Sequence, residues 1–441
     1  MIETQPRILF LTLSDDIGSE RIVSDMGRRG ATCAVLGRPR AVAALSVRVS
    51  HHRTLPGRGG MWAAAMAVAS RLESMAVQWH PDAVVPLDDW AAHLLRDLAL
   101  APRTSPGLRR LLVSSLGDPR HYRSACSRGL LVETAASLGV RTPGQRRIVD
   151  AAEARAAAAD LGFPMMLKRE GTCGGSGVML VRDEAELAQA FRTAERKARA
   201  KRALRRLLGF RSFDDGAALT LQAFVAGGLA MRTVACEAGH VLAGMSFAAD
   251  RLDPPVTGSS TVIRPVDNAE MDEAARRLVA ALGCSGFVSF DFLLSRDGRA
   301  TLIEMNARPV GSGHLAARFG HDLYGAWLKR FPGFSEPPEG RSIEPMPRSV
   351  ALFPKEMQRD PESPCLLPGP DHLHDIPWDE PRIVASYRDR LMLRHPSHAA
   401  AIARQLMSAP DAGRPVQRSD AVAPVRMSGL GSRLVGLKTM P

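Results

Sequence analysis

Residues 286–308, GFVSFDFLLSRDGRATLIEMNAR, constrain the fold more than any other stretch of the chain. Two apolar runs flank a polar centre, and Asp297-Gly298 is a dipeptide suited to a two-residue type I′ turn, whose central residues both take positive φ. The segment therefore reads as a β-hairpin. Centring its turn between Asp297 and Gly298 sets Asp291 opposite Glu304, with Cβ atoms roughly 4.5–5.5 Å apart. Side chains alternate along a strand, so Asn306 shares the face of Glu304 and Arg308 follows it. Like charges placed opposite each other destabilise a sheet unless something positive lies between them. Two readings stay open here. One is a site for a hard cation such as Mg²⁺, which takes one or two carboxylates plus phosphate oxygens. The other is a solvated hairpin edge neutralised by Arg308 or a nearby Lys.

At 441 residues the chain has room for about two to four domains. Its net charge of +12 admits nucleic acid, a membrane surface or anionic small molecules as partners, without choosing among them. Six cysteines without a CxxC pair disfavour both a zinc site and a disulfide framework. The N-terminus lacks a signal-peptide pattern and no uncharged run reaches membrane-spanning length. Cytoplasmic residence and no membrane partner are the default expectations.

The N-terminal part alternates strand and helix. Residues 7–12 and 31–36 read as buried strands around a helix at 17–29 ended by Gly30; a helix at 61–79 and a strand at 83–87 follow. This pattern predicts a Rossmann-like parallel sheet. No GxGxxG follows the first strand, so the dinucleotide fingerprint is missing. Asp88 and Asp89 stand where a helix N-terminus favours acids, and that reading is preferred over a place in a substrate site.

Residues 119–145 read as a helix stopped by Gly139, and an Ala-rich helix covers 151–160. In LGFPMMLKREGTCGGSGVMLV (161–181), a strand leads into a Gly-rich loop and a second strand. Glycines at 171, 174, 175 and 177 let the backbone aim N–H groups at an anion, and Lys168 supplies a point charge. A flexible glycine hairpin without a ligand is the alternative. Cys173 fits there as a small loop filler. A basic helix covers 184–208, with nine Lys or Arg within 192–211. No aromatic residues interleave with these charges, so a solvated face suits them better than a nucleic-acid surface. Strands are expected at 218–225 and 231–247. Residues 331–441 hold 17 of the 31 prolines and read as loop-rich, with a helix at 398–407 and a mobile end after about 410.

Together these pieces resemble the ATP-grasp superfamily, whose members hold ATP between two α+β subdomains. LGFPMMLKREGTCGGSGV looks like its Phe-Pro, strand Lys and phosphate loop; LQAFVAGG looks like its hinge strand beside adenine; GFVSFDFLL and LIEMNAR look like its metal hairpin. Three motifs in order are more specific than any one of them. The resemblance implies an α/β and α+β chain: a Rossmann-like pre-ATP-grasp domain (1–105), an ATP-grasp domain (106–330) and a Pro-rich C-terminal region (331–441).

The resemblance also implies roles. Lys168 contacts the phosphates and Gly174, Gly175, Ser176 and Gly177 close over them. Arg128 stands where the family commonly has a Lys near the α-phosphate. Gln222 lies beside adenine with the Phe224 and Val225 backbone. Asp291, Glu304 and Asn306 hold Mg²⁺, or Mn²⁺ in its place, and Arg308 stabilises the transferring phosphoryl group or the tetrahedral intermediate. Ser312 and His314 face the acyl substrate. Where the family often carries an acid after the hinge glycine, this chain reads GGLAMRT. The implied activity is an ATP-dependent ligase: a small-molecule carboxylate becomes an acyl phosphate, which an amine, a thiol or a similar nucleophile attacks. Carboxylation or carbamoyl phosphate chemistry, and a non-catalytic basic scaffold that binds nucleic acid, are the alternatives. Dimers are common among the proteins it resembles.

Overall fold

The computed structural model describes residues 5–15, 18–57, 60–170, 177–207, 219–335, 347–367, 369 and 371–407. Among them the strands form three sheets. The first is the expected parallel one: β1 (Arg7–Leu11), β2 (Thr32–Gly37), β3 (Val49–Thr54) and β4 (Ala83–Pro86), in the order β3-β2-β1-β4. Alternation along β1 serves two cores. Leu9 and Leu11 pack with Val68, Leu72, Leu95 and Leu112 from the helices Gly60–Trp79, Asp89–Leu100 and Pro106–Leu116. Ile8 and Phe10 pack with Ile22 and Met26 of the helix Arg21–Arg28, and with Trp327 and Phe287. Burial on both faces is why β1, β2 and β4 read as continuous apolar runs. β3 was not expected, because VSHHRT is an edge strand that is exposed at alternate residues.

The second sheet is antiparallel, in the order β5-β8-β6-β7, from β5 (Gln145–Ile148), β6 (Met165–Arg169), β7 (Val178–Val181) and β8 (Leu219–Ala223). Met165, Leu167, Leu219 and Leu221 face the helices Ala151–Leu161 and Glu184–Leu207. The opposite face therefore carries Met166 and Lys168 across from Gln222 and Thr220. The structure breaks the expected helix at 119–145 into a 3₁₀ turn (Pro119–His121) and the helices Tyr122–Cys126 and Arg128–Ser137. Ser127 caps the last of these, accepting a hydrogen bond from the Leu130 N–H at 3.3 Å, and Gly139 at φ +72° ends it.

The third sheet runs β13-β12-β9-β10-β11-β14-β15. Its strands are β9 (Gly228–Glu237), β10 (His240–Asp253), β11 (Ser259–Pro265), β12 (Gly286–Leu294), β13 (Ala300–Asn306), β14 (Ser349–Ala351) and β15 (His372–His374). The single strand expected at 231–247 is thus the β9–β10 hairpin, turning at Ala238 and Gly239, both at positive φ. The region after 331 is more ordered than its proline content predicts. β14 pairs with β11, and the unanticipated helix Pro381–Arg394 joins Ala399–Gln405, the expected C-terminal helix, in a core with Val42 and Val262. The residues after 407 lie outside the described set.

The β12–β13 hairpin has the expected site register but not the expected turn. Its loop is Arg296–Gly298: Ser295 and Arg299 pair, Gly298 N–H donates to Ser295 O at 3.0 Å, and Gly298 but not Asp297 takes positive φ. This three-residue loop shifts the nearby ladder by one place, so Phe292 faces Leu302. A bulge at Ile303 restores the register, and Asp291 then faces Glu304.

Candidate active site

The hairpin holds its acids above a buried apolar layer: Phe290, Phe292 and Leu302 are fully buried beneath the helix Ala269–Leu282. Asn306 Nδ2 donates to Asp291 Oδ2 at 3.2 Å. Glu304 Oε1 accepts from Arg128 Nη2 at 2.6 Å. Burial, reinforced by Glu304, raises the Asp291 carboxyl to about 7. Two carboxylates and an amide oxygen, with one acid destabilised by the other, fit a Mg²⁺ ion that would relieve their repulsion. Among the described residues no group of three or more His, Cys, Asp or Glu forms a metal cluster, so phosphate oxygens and water would complete the coordination.

Arg128 opens its helix with a mostly buried side chain, and Glu170 was not singled out from the sequence. The Glu170 carboxylate accepts from the Arg128 N–H at 3.0 Å and the Gly129 N–H at 2.8 Å, a carboxylate at a helix N-terminus. It lies one residue beyond β6 and so ties the strand of Lys168 to the helix of Arg128. Lys168 is 6% exposed, and burial followed by the Arg128 charge pulls its ammonium down to about 8, against the opposing pull of Glu304, Glu170 and Asp291. Among the described residues it makes no hydrogen bond or ion pair. Gly174, Gly175 and Ser176 lie outside the described residues; Gly177, at φ +86°, leads into β7.

Lys168 gives the site a pH dependence. Below about 8 the ammonium is charged; binding a phosphate against it above that pH would have to take up a proton. The Kd for MgADP is therefore expected to rise toward roughly tenfold per pH unit above 8. Calorimetry at pH 7, 8 and 9 checks this, and Lys168→Met should bind more weakly with a flat profile. A wild-type Kd that does not rise between pH 8 and 9 would remove Lys168 from the phosphates.

Gln222 is buried, and its Nε2 donates to Gln145 Oε1 at 3.3 Å. Beside it the Phe224 N–H is engaged by Pro164 O at 3.3 Å. Among the described residues the Phe224 carbonyl and the Val225 N–H make no hydrogen bond, leaving an acceptor and a donor in sequence for a base edge. Phe163 and Phe224 are exposed at 37% and 42%, unusually high for phenylalanine, and offer apolar surface for a ring.

The two strand-end acids part company. Asp88 is a structural cap: Thr12 Oγ1 and the N–H groups of Leu13, Ser14 and Ala91 donate to it at 2.7–3.1 Å. Asp89 instead takes Arg308 bidentately, Nε at 2.7 Å and Nη2 at 3.0 Å. Burial would raise its pKa, but the guanidinium overrides this and holds the carboxyl below its usual value. The preference for a helix-end role therefore holds for Asp88 as the cap and for Asp89 as the first residue of the helix, and Asp89 adds a second role as the partner of Arg308. Ser312 is buried with Oγ against Met231 Sδ at 3.7 Å. His314 Nε2 lies 2.7 Å from Asp375 Oδ2, which Arg21 also contacts at 3.2 Å.

Residues 128–214 match the family described as carbamoyl-phosphate synthase L chain, ATP binding domain. The chain is 30% identical over 174 residues to a D-alanine–D-alanine ligase of Cupriavidus pinatubonensis, which covers 37% of this chain and 49% of the ligase. The match thus spans about half the length of that relative. Among solved structures, the biotin carboxylase domain dimer of the Hydrogenobacter thermophilus 2-oxoglutarate carboxylase, in complex with MgADP, ADP and bicarbonate, superposes with a TM-score of 0.56. That likeness covers 73% of this chain and 68% of that chain at 14% identity. The Staphylococcus aureus N5-carboxyaminoimidazole synthetase complexed with ADP gives 0.53 over 76% of this chain and 80% of that chain, at 12% identity. At such identities these structures speak to the fold alone. No helix among the described residues is long and apolar enough to cross a membrane.

Proposed function

Because the chain belongs to the ATP-grasp superfamily, we propose that it is an ATP-dependent ligase that activates a small-molecule carboxylate for attack by an amine or a similar nucleophile. The supporting observation is the convergence of opposite charges at the hairpin: Asp291 and Glu304 are surrounded by Lys168, Arg128 and Arg308. Asp291, Glu304 and Asn306 would hold Mg²⁺, or Mn²⁺ in its place, which would neutralise charge on the phosphates. Lys168 and Arg128 would draw the phosphates into line. Arg128 would exchange its bond to Glu304 for one to phosphate, freeing that carboxylate for the ion. Arg308, oriented by Asp89, would stabilise the charge that develops as the phosphoryl group moves. The carboxylate oxygen attacks the γ-phosphorus, ADP leaves, the nucleophile adds to the acyl carbon, and phosphate departs. No step requires a covalent enzyme intermediate.

The test is ADP and phosphate release from MgATP with pooled carboxylic acids, amino acids and bicarbonate, using Lys168→Ala as the blank. Release that depends on an acid together with an amine or thiol is the expected result. Release with bicarbonate alone would replace the ligase by carboxyphosphate chemistry. Failure to release ADP with any pool would overturn the catalytic reading, and steeply salt-dependent RNA binding that survives Glu304→Ala would favour the scaffold instead.

A further inference from the structure

The helix Asp89–Leu100 reaches the β12–β13 hairpin at two points on one face. Asp89 opens the helix and grips the Arg308 guanidinium by Nε at 2.7 Å and Nη2 at 3.0 Å. Arg96 stands seven residues later, about two helical turns on and in nearly the same direction. Its side chain leans back toward the helix N-terminus, and its Nη1 donates to Ala92 O at 3.0 Å and to Ala307 O at 3.3 Å. Ala307 is the residue before Arg308. One helix thus holds two consecutive residues of the chain that leaves β13, the second by its guanidinium and the first by its carbonyl.

Arg96 also bears on the other end of the hairpin. It lies over the ring of Tyr122, 5.5 Å from the centroid, and Tyr122 OH donates to Gly117 O at 2.9 Å. Gly117 bridges to Cys284, and the Asp118 N–H donates to Gly283 O at 2.9 Å, just ahead of β12. The backbones meet so closely that a Cβ on Gly117 would overlap Gly283 O. Both strands of the hairpin are therefore tied to a single guanidinium, β13 directly and β12 through Tyr122. Arg96 is 2% exposed; among the described residues it makes no ion pair, and its Nε is buried without a partner. Burying a cation without a carboxylate costs stability, and an apolar side chain could fill the same space without that cost. What an apolar side chain could not supply is a donor to Ala307 O.

We infer that Arg96 is a positioning residue for Arg308: it pins the peptide from which Arg308 departs while Asp89 fixes the fork, so the helix Asp89–Leu100 sets where the Arg308 charge stands. A guanidinium gripped only at its tip still moves with its own backbone. A second anchor at the Ala307 carbonyl removes that motion. The inference rests on the ligase reading for what Arg308 acts upon, but not for how Arg308 is held.

The experiment uses the full chain with Arg96→Met, which keeps a stem against Tyr122 and removes donor and charge, and with Arg96→Lys, which keeps both. Arginine side-chain ¹H–¹⁵N spectra read the Nε–H of Arg308 without substrate; its signal is the one that Arg308→Lys removes. In wild type the bond to Asp89 should slow exchange of this proton with water. Arg96→Met is expected to speed that exchange at least about tenfold, with Arg96→Lys within about threefold of wild type and MgADP affinity unchanged within about twofold. With an acid found by the pooled assay, Arg96→Met should lower kcat about 10- to 100-fold at an unchanged KM for ATP, and Arg96→Lys should recover most of the loss. A merely structural role predicts lower melting temperatures with the Arg308 signal and the kcat of the folded protein unchanged, and that result would overturn the inference. So would the absence of a slowly exchanging Arg308 Nε–H in wild type, or a loss confined to nucleotide affinity. If Arg96→Met does not fold, Arg96→Gln takes its place, because its amide stops where the unpartnered Arg96 Nε now stands. It should show the same faster exchange, and exchange as slow as in wild type would again refute the role. Absence of turnover in every pool, with the exchange difference intact, would remove the ligase reading and keep Arg96 as the residue that aims Arg308.

Discussion

Asp291→Asn is expected to lower ADP formation at least about 10³-fold while raising the thermal stability of the ligand-free protein. Activity falls because an amide is a weak ligand for Mg²⁺ and carries no charge to offset that of the ion. Stability moves the other way because the wild-type carboxyl is buried beside Glu304 and titrates near 7. The sign follows from comparing the folded and unfolded chains. A carboxyl whose folded pKa lies above its unfolded value contributes a cost that is absent below about 4, grows as pH rises, and is complete above about 7. Replacing it with a neutral amide of the same shape removes that cost, on the order of 1–4 kcal/mol, and keeps an oxygen for the Asn306 amide. Calorimetric scans should therefore show a higher midpoint for the variant at pH 8 and little difference at pH 4.5. Adding MgADP should stabilise wild type more than the variant. A variant less stable than wild type at pH 8, or one retaining more than a tenth of the activity, would refute the metal assignment.

That prediction concerns a residue already visible in the sequence, and the way it was visible is instructive. The facing of Asp291 and Glu304 follows from a turn centred on Asp297-Gly298, yet the chain forms a three-residue loop instead. Its one-place offset is cancelled by the bulge at Ile303. Alternation constrains the register more firmly than the turn does, because a net slip of one would expose Phe290 and Phe292 and bury the acids. Lys168 and Gln222 were legible for a related reason: a polar residue inside an apolar strand breaks a pattern. The second role of Asp89 was not, since an acid in the first turn of a helix already has a local explanation, and its partner Arg308 lies 219 residues away. Glu170 carries no local signal at all. The helix Pro381–Arg394 was hidden by the surrounding prolines, although Pro381 sits in its first turn, where proline is tolerated.

Arg308→Lys is expected to reduce kcat by roughly 10²–10³ with MgADP affinity unchanged within about twofold, and Asp89→Asn by roughly 10–10². The planar fork of Arg308 meets both oxygens of Asp89, so its remaining N–H groups are fixed in direction; an ammonium on a flexible stem keeps the charge but loses the aim. Because Asp89 acts through Arg308, the double variant should be little slower than Arg308→Lys alone, the non-additivity expected of residues that work as a unit. KM separates this from general damage. Asp89→Asn removes the negative charge that balances Arg308, leaving Arg308 more attractive to an oxyanion. The KM for the acid substrate should therefore fall while kcat falls. A merely structural role for Asp89 predicts a lower melting temperature with KM unchanged or raised. Additive losses in the double variant would place Asp89 and Arg308 in separate roles, and the proposed route of charge from Asp89 through Arg308 to the substrate would then fail.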